Sequence, residues 1–410
     1  MEIQLPQKVQ FIIETLNQAG FEAYAVGGCV RDSILGRKPD DWDITTSARP
    51  EEVKALFERT VDTGLQHGTV TVLLERDSYE VTTYRIDGEY LDGRHPECVS
   101  FTSSLKEDLR RRDFTINAMA YSRETGLVDC FEGLEDIRLK RVRCVGDPGE
   151  RFSEDALRIL RAVRFSAQLG FSVEDKTQQA IRELAPALGK ISAERIRTEL
   201  GKLLVSQRPD KLGEAWKLGI TRVVLPEFDR AAEEGREKKI LEGLRRIQAD
   251  PIRRWSLLLG FLGEEEEARS VLKRLRFDND TVRQVCALVC AEKWTVEPEP
   301  ASVRRAVSRI GVQLFPLYLD LCQVRAQLEE GTSGREREEN NRRIRELFAG
   351  ILEKGDCVSL KQLKIGGRDL IAAGFQPGPR VGSILETLLD RVLECPELNT
   401  KEQLLELAEK

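Results

Sequence analysis

Asp41 and Asp43 stand two residues apart in the segment Asp40-Asp41-Trp42-Asp43-Ile44. In an extended strand, residues i and i+2 point to the same face. The spacing therefore predicts two carboxylates side by side. Like charges held together are costly unless a cation lies between them. Hard oxygen ligands of this kind suit Mg²⁺, which takes a few carboxylates and shares substrate phosphates. Taken alone, the segment also fits a polar turn with an N-capping aspartate. Its context is Gly27-Gly28-Cys29-Val30-Arg31-Asp32, placed between an expected strand and an expected helix. Glycines let a backbone approach a phosphate closely, and free N–H groups at a helix start bind its oxygens. A Gly-Gly turn by itself is an ordinary structural feature. Arg31 lies in the first helical turn and is in reach of the same phosphate; the plain alternative is a surface arginine paired with Asp32. Glu80, in the apolar-rich strand Tyr79 to Tyr84, is a third metal ligand, a general base or an ordinary outward-facing residue.

Two further clusters carry charge in a useful order. Arg110-Arg111-Arg112-Asp113-Phe114 is either a solvated basic turn or a place where Arg112 and Asp113 meet the triphosphate and ribose of a nucleotide. The segment from Ser153 to Arg164 reads as a helix with Ser153 at its N-cap and Glu154 and Asp155 in the first turn, where the helix dipole favours anions. At 100° per residue, Ala156, Ile159, Leu160 and Val163 share one face, and Asp155, Arg158, Arg161 and Arg164 step across the other. Solvated i,i+3 ion pairs would explain that second face. An Asp155–Arg158 pair also has a recognition logic. A carboxylate accepts from an exocyclic amine, and a guanidinium donates to a ring nitrogen. Cytosine and adenine offer that order, whereas guanine and uracil reverse it and would leave groups unpaired.

The elements that must position these residues fall into two regimes. The first ~140 residues alternate helix and strand signals. Val9 to Ala19 is helical, Tyr24 to Val26 a buried strand, and Val30 to Leu35 a helix closing at Gly36. Gly68 to Leu74 and Tyr79 to Tyr84 are strands, with Arg76-Asp77-Ser78 as their turn. Asp87 to Pro96 reads as a mobile polar loop, and Phe114 to Tyr121 fits strand or helix. After Ser153 the strand signals fade and helical periodicity runs nearly to the end. Breaks are expected at Arg208-Pro209, Pro226, Asp250-Pro251, Pro298 to Pro300 and Glu329 to Ser333. The runs Glu264 to Glu267 and Arg335 to Glu339 fit solvated helix faces. The plan is an α+β head followed by all-α segments.

Composition narrows the chemistry. The 410 residues contain only two histidines, His67 and His95. Sites needing several imidazoles are excluded, including His-rich zinc centres and His-Asp phosphohydrolase modules. Carboxylates, arginines and glycines must carry any catalysis. The net charge of −6 argues against loose charge-driven coating of nucleic acid. Between Arg138 and Arg164, however, basic residues outnumber acidic ones eight to four. Nine scattered cysteines fit reduced thiols in a cytoplasmic chain. No apolar run approaches a membrane span, and Met1 to Gln4 shows no secretory signal.

Gly27 to Asp32, Asp41 to Asp43, Arg111 to Ala118 and Glu154 to Arg161 occur in an order that resembles the class II tRNA nucleotidyltransferases, the bacterial CCA-adding enzymes and their relatives. The resemblance is dense over residues 20 to 200. It extends to Gly366-Gly367-Arg368-Asp369-Leu370 and Pro377-Gly378-Pro379, which look like the family's tail. It implies a polymerase-β-like nucleotidyltransferase head over 1–140, a base-recognising neck over 141–205, and a tRNA-binding body over 206–345 and tail over 346–410. It further implies that Asp41 and Asp43 hold two Mg²⁺ ions, and that Gly27, Gly28, Arg31 and Arg112 bind the nucleotide's phosphates and ribose. Glu154, Asp155, Arg158, Arg161 and Arg164 would belong to the site that reads the base. The activity implied is template-independent addition of C, C and A to the tRNA 3′ end from CTP and ATP, with the acceptor and T arm as a docking partner. An intact loop over Asp87 to Ser100 favours full CCA addition or A-addition beside a separate CC-adding enzyme. His67 in His-Gly-Thr resembles a supporting family feature. Poly(A) polymerases share the head motifs but usually carry basic extensions, whereas the stretch Leu404-Leu405-Glu406-Leu407 near the end of this sequence is not part of a basic tail. A non-catalytic RNA-binding scaffold and a small-molecule nucleotidyltransferase are the remaining alternatives, and oligomeric state stays open between monomer and homodimer.

Overall fold

The computed structural model describes residues 2–87 and 99–409. The loop expected over Asp87 to Pro96, the intact-loop argument built on it, and His95 therefore lie outside the described residues, apart from Asp87 and the few residues from Val99 onward. The chain forms two compact units, Met1–Arg230 and Ala231–Lys410. The first takes in the expected head and neck and the first helices of the expected body.

The first unit is built on a seven-stranded mixed sheet. Its strands are β1 (Ala23–Val26), β2 (Ile44–Thr46), β3 (Thr60–Gly64), β4 (Thr69–Leu74), β5 (Asp77–Thr83), β8 (Met119–Ser122) and β9 (Gly126–Asp129), in the order β3-β4-β5-β2-β1-β8-β9. Between them in sequence, β6 (Arg85–Asp87) and β7 (Val99–Phe101) form a separate antiparallel ribbon. All four residues of β1 are buried, as a short apolar run between two partners requires. Ala25 lies opposite Ile44 of β2 and Tyr121 of β8. Strand β2 runs parallel to β5, with Ile44 beside Val81. Tyr24, Val26, Tyr84, Leu109, Ala118, Ala120 and Val145 close one core cluster.

Helices α1 (Gln7–Gln18), α2 (Gly28–Ile34), α3 (Pro50–Leu56), α4 (Leu105–Arg110) and α5 (Gly133–Arg138) complete the head. Helix α2 ends before Gly36, whose positive φ of 67° no bulky residue would adopt readily. The β4–β5 turn is tighter than expected. Leu74 pairs with Asp77, so Asp77 and Ser78 belong to the strand, and Glu75 takes the left-handed conformation at φ 58°. The ambiguous segment Phe114 to Tyr121 is a 3₁₀ turn over Thr115–Asn117 followed by β8.

The helix expected to start at Ser153 is two helices, α6 (Pro148–Glu154) and α7 (Leu157–Leu169). Asp147 caps α6 by accepting from Glu150 N at 3.0 Å, and Pro148 sits at its first position. Ser153 is therefore inside α6, where its Oγ donates to the Gly149 carbonyl at 2.8 Å. The chain breaks at Asp155, with φ −143° and ψ 101°, and the Asp155 carboxylate accepts from Leu157 N at 3.0 Å. Strands do not vanish after this point: β10 (Arg141–Val142) pairs in parallel with β11 (Ser172–Val173). Helices α8 (Asp175–Leu184) and α9 (Ala193–Leu204) follow, and shorter helices lead to the unit boundary inside Pro226–Glu233.

Among the described residues the second unit is helical, from Glu237–Arg246 to Lys401–Ala408. The expected breaks fall between helices. Pro251, Pro300 and Pro379 each open one, where the missing N–H costs nothing. Trp255 is fully buried, edge-on to Phe277 at 5.1 Å between ring centroids. Both charge runs lie on helices, with side chains exposed or half-buried. The eight cysteines among the described residues are all free.

Glu292 is a half-buried acid of this unit. Burial pushes its carboxyl up to about 7, against the pull of the Arg325 guanidinium, which donates to it at 2.5 Å. The unfolded chain loses this proton nearer 4.5. The folded form therefore holds the proton more tightly, and the resulting stability is complete below pH ~4.5 and is lost as pH rises through about 7. Glu292→Gln is expected to flatten the fall of the urea midpoint between pH 4.5 and 7.5. An unchanged slope in the variant would contradict this role.

Candidate active site

The carboxylates gather at the start of β2. Asp41 and Asp43 precede the strand, so the same-face rule for strand residues does not literally apply. The backbone nevertheless continues the ladder at Asp43, whose carbonyl accepts from Val26 N at 3.0 Å. Glu80 directly precedes Val81, the parallel partner of Ile44, which sets it next to Asp43 across the β2–β5 ladder. Asp43 and Glu80 both sense the carboxylates beside them. Burial raises the Asp43 carboxyl above its ordinary range, the Arg112 guanidinium opposes this, and Asp41 adds to it. Glu80 is raised by burial, then by Asp43 and Asp41. Among the described residues, no three His, Cys, Asp or Glu side chains come close enough to hold a metal by themselves. The donor set is thus two hard carboxylates with an uncompensated charge. It fits a divalent cation that draws its remaining ligands from substrate phosphates. Glu80 adds negative charge without completing a three-carboxylate cage.

The Gly27 turn brings a cation beside this edge. Gly27 has φ 83°, and a Cβ there would lie 2.9 Å from Arg112 Nη1. Glycine is therefore required both for the backbone and for the approach of Arg112. Gly28 is less constrained, since its Cβ would meet only Arg31 Nη2 at 3.7 Å. The Arg112 Nε is buried without a hydrogen-bond partner, and its nearest carboxylate contact is Asp108 at 3.7 Å. Burial draws the Arg112 guanidinium down, and Asp108 and Asp43 partly restore it. An under-satisfied cation next to two carboxylates is suited to a polyanionic ligand.

Arg31 lies beside the Gly28 turn, with its donors engaged inside the protein. It is buried, its Nε and Nη2 donate to Asp32 at 3.0 and 2.8 Å, and its Nη1 donates to Asn117 Oδ1 at 2.5 Å. It pairs with Asp32 as the plain alternative had it, but from inside the protein. Its guanidinium also lies 5.1 Å from the Phe165 ring centroid of α7. Asp113 is likewise internal. It accepts from Phe114 N and Asn117 Nδ2 on one oxygen, and from Arg161 Nε and Nη2 at 2.8 and 2.6 Å on the other. Burial alone would raise its carboxyl, but Arg161 and these hydrogen bonds hold it well below the usual range. With both oxygens engaged, Asp113 ties Arg161 of α7 to the head.

The polar face of α7 is equally occupied. Arg164 is buried, donates to Glu199 at 2.7 Å and Gln168 at 2.7 Å, and stacks 3.6 Å from the Phe165 centroid. Arg161 lies 3.8 Å from Glu199 in addition to its Asp113 contact. Asp155 and Arg158 each hydrogen-bond to other groups. Arg158 donates to Glu154 at 2.5 Å and to the carbonyls of Arg151 and Arg111, while Asp155 receives Arg195 at 2.6 Å. Arg195 and Glu199, one turn apart on α9, and Asn117 in the 3₁₀ turn were absent from the expected site. An i,i+4 Arg–Glu pair is the available sequence signal for Arg195 and Glu199, and the Arg111 to Ala118 segment is that for Asn117. Glu199→Ala would leave Arg164 charged, buried and short of its carboxylate. We expect a loss of about 3 kcal/mol, read from the urea midpoint of the full chain; an unchanged midpoint would refute this support.

Three known families match successive parts of the chain. The Poly A polymerase head domain matches residues 23–143, the probable RNA and SrmB- binding site of polymerase A matches 170–232, and the putative tRNA nucleotidyltransferase domain 2 matches 249–408. Together with the mixed sheet and its paired carboxylates, they define a nucleotidyltransferase-type head followed by helical parts. Curated relatives span the whole length. The CCA-adding enzyme of Levilactobacillus brevis is 38% identical over 94% of this chain and 93% of its own, and that of Lactiplantibacillus plantarum is 38% identical over 99% and 97%. The crystal structure of the Bacillus stearothermophilus CCA-adding enzyme in complex with CTP is 33% identical, superposes with a TM-score of 0.79, and covers 99% of this chain and 98% of that one. The chain belongs to the class II CCA-adding enzyme family.

Proposed function

We propose that the protein is a tRNA nucleotidyltransferase that adds C, C and A in turn to the tRNA 3′ end from CTP and ATP. The observation that carries this reading is full-length kinship with CCA-adding enzymes in a chain that keeps Asp41 and Asp43 beside the Arg112 cation. In each step the tRNA 3′-oxygen bonds to the α-phosphorus, the bond to the bridging oxygen breaks, and pyrophosphate leaves. Asp41 and Asp43 would hold Mg²⁺. When bound there, the metal supplies charge neutralisation at the triphosphate and favours the ionised 3′-hydroxyl. Arg112, admitted by Gly27, binds phosphate oxygens common to both nucleotides. Asp155 accepts the exocyclic amine of cytosine or adenine, and Arg158 donates to the adjacent ring nitrogen. Arg31, Asp113 and Arg161 keep the head and α7 in register, and Arg164 ties α7 to α9.

No helix among the described residues is long and apolar enough to cross a membrane. Cytoplasmic tRNA, CTP and ATP are the partners this reading assigns. It is tested by offering tRNA ending at the discriminator base, at C and at CC, with labelled CTP or ATP. CTP should extend the first two and ATP the third. Incorporation of ATP alone, only on the third, would mark an A-adding enzyme, and no incorporation on any would overturn the reading.

A further inference from the structure

We infer that Arg195 is a positioning residue for base choice, holding the Asp155 carboxylate in the orientation from which it accepts a nucleobase amine. This rests on the reading above that Asp155 and Arg158 face the base.

Asp155 lies at the break between α6 and α7, outside either helix. Its local contact is the cap to Leu157 N at 3.0 Å, which engages one oxygen. The restraint from elsewhere in the fold is Arg195 on α9, with Nη2 on Oδ2 at 2.6 Å and Nη1 on Oδ1 at 3.3 Å. A guanidinium that contacts both oxygens fixes the plane of the carboxylate as well as its place. Arg158 hangs from other supports: Glu154 at 2.5 Å and the carbonyls of Arg151 at 3.1 Å and Arg111 at 3.0 Å. The two reading groups thus hang from different supports. Their separation depends on how α9 sits against α7, and Glu199 ties those helices one turn beyond Arg195 through Arg164 at 2.7 Å.

Base choice depends on that separation. Cytosine and uracil differ by the order of donor and acceptor on one edge, so discrimination requires an acceptor and a donor at fixed positions. A carboxylate released from Arg195 can rotate about its own side chain. Uracil would then be penalised less, while contacts to the triphosphate stay as they were. A merely structural Arg195 would instead lower turnover of all nucleotides by one factor.

The test uses the full chain and tRNA ending at the discriminator base. The kcat and KM are measured separately for CTP and UTP in wild type, Arg195→Ala and Arg195→Lys, with thermal melting of each. The ratio of kcat/KM for CTP over UTP should fall about tenfold in Arg195→Ala, chiefly through a higher KM for CTP. Arg195→Lys keeps the charge but not the fork, and should recover only part of the ratio. If Arg195→Ala does not stay folded, a severalfold lower ratio in Arg195→Lys supports the inference. An unchanged ratio in the folded variants, or an equal loss for both nucleotides, overturns it. Failure of the wild type to incorporate CTP would instead remove the functional reading itself.

Discussion

Replacing Asp43 by alanine is expected to cut nucleotide incorporation by about a thousandfold or more, with the fold intact. The two halves of this expectation have one cause. Asp43 is exposed beside Asp41, its carboxyl raised by partial desolvation and by that neighbour against the pull of Arg112, so the core does not depend on it. Removing it takes away a donor to the proposed metal and leaves the packing untouched. The melting temperature of Asp43→Ala should thus stay close to that of the wild type. Glu80→Gln should cost less than about tenfold, because Glu80 adds charge to the edge but does not complete a three-carboxylate group. Turnover retained in folded Asp43→Ala would refute the metal role, and a Glu80→Gln loss as deep as that of Asp43→Ala would promote Glu80 to a ligand.

Arg112→Ala should lower kcat/KM about a hundredfold, by the same factor for CTP and ATP. Its guanidinium stands against the Gly27 turn with Nε unpartnered, and the proposed reading gives it the phosphate oxygens that every nucleotide shares. Gly27→Ala should approach the same loss, since its Cβ would sit 2.9 Å from Arg112 Nη1 in a backbone conformation side chains rarely adopt. Steady-state kinetics with each nucleotide checks both. A loss confined to one nucleotide would place Arg112 at the base.

The contrast with Arg31 and Asp113 shows where local pattern stops being informative. The Gly-Gly turn, the strand before it and the carboxylate pair were legible because each rests on neighbours within a few residues. The apolar face of α7 was legible too: Ala156, Ile159, Leu160 and Val163 are all buried. Its charged face misled. Periodicity marks Arg161 and Arg164 as facing away from that apolar stripe, and a charged face is ordinarily solvated. Here it packs against Glu199, 35 residues beyond Arg164, and no window of helical length contains both. The Asp155 break was hidden for a related reason. Ser153 followed by two acids is a good N-cap signal, but the Asp147-Pro148 pair upstream had already started a helix. The two histidines retain their meaning: a site run by Asp41, Asp43 and Arg112 needs no imidazole.

The central claim is that this edge of carboxylates and arginine transfers nucleotides to the 3′ end of tRNA. The most direct measurement is the mass of a tRNA lacking its 3′ terminus after incubation with the protein, Mg²⁺, CTP and ATP. The expected product is longer by one C, one C and one A, with no further growth. An unchanged mass, or a long ladder of A residues, would contradict the account.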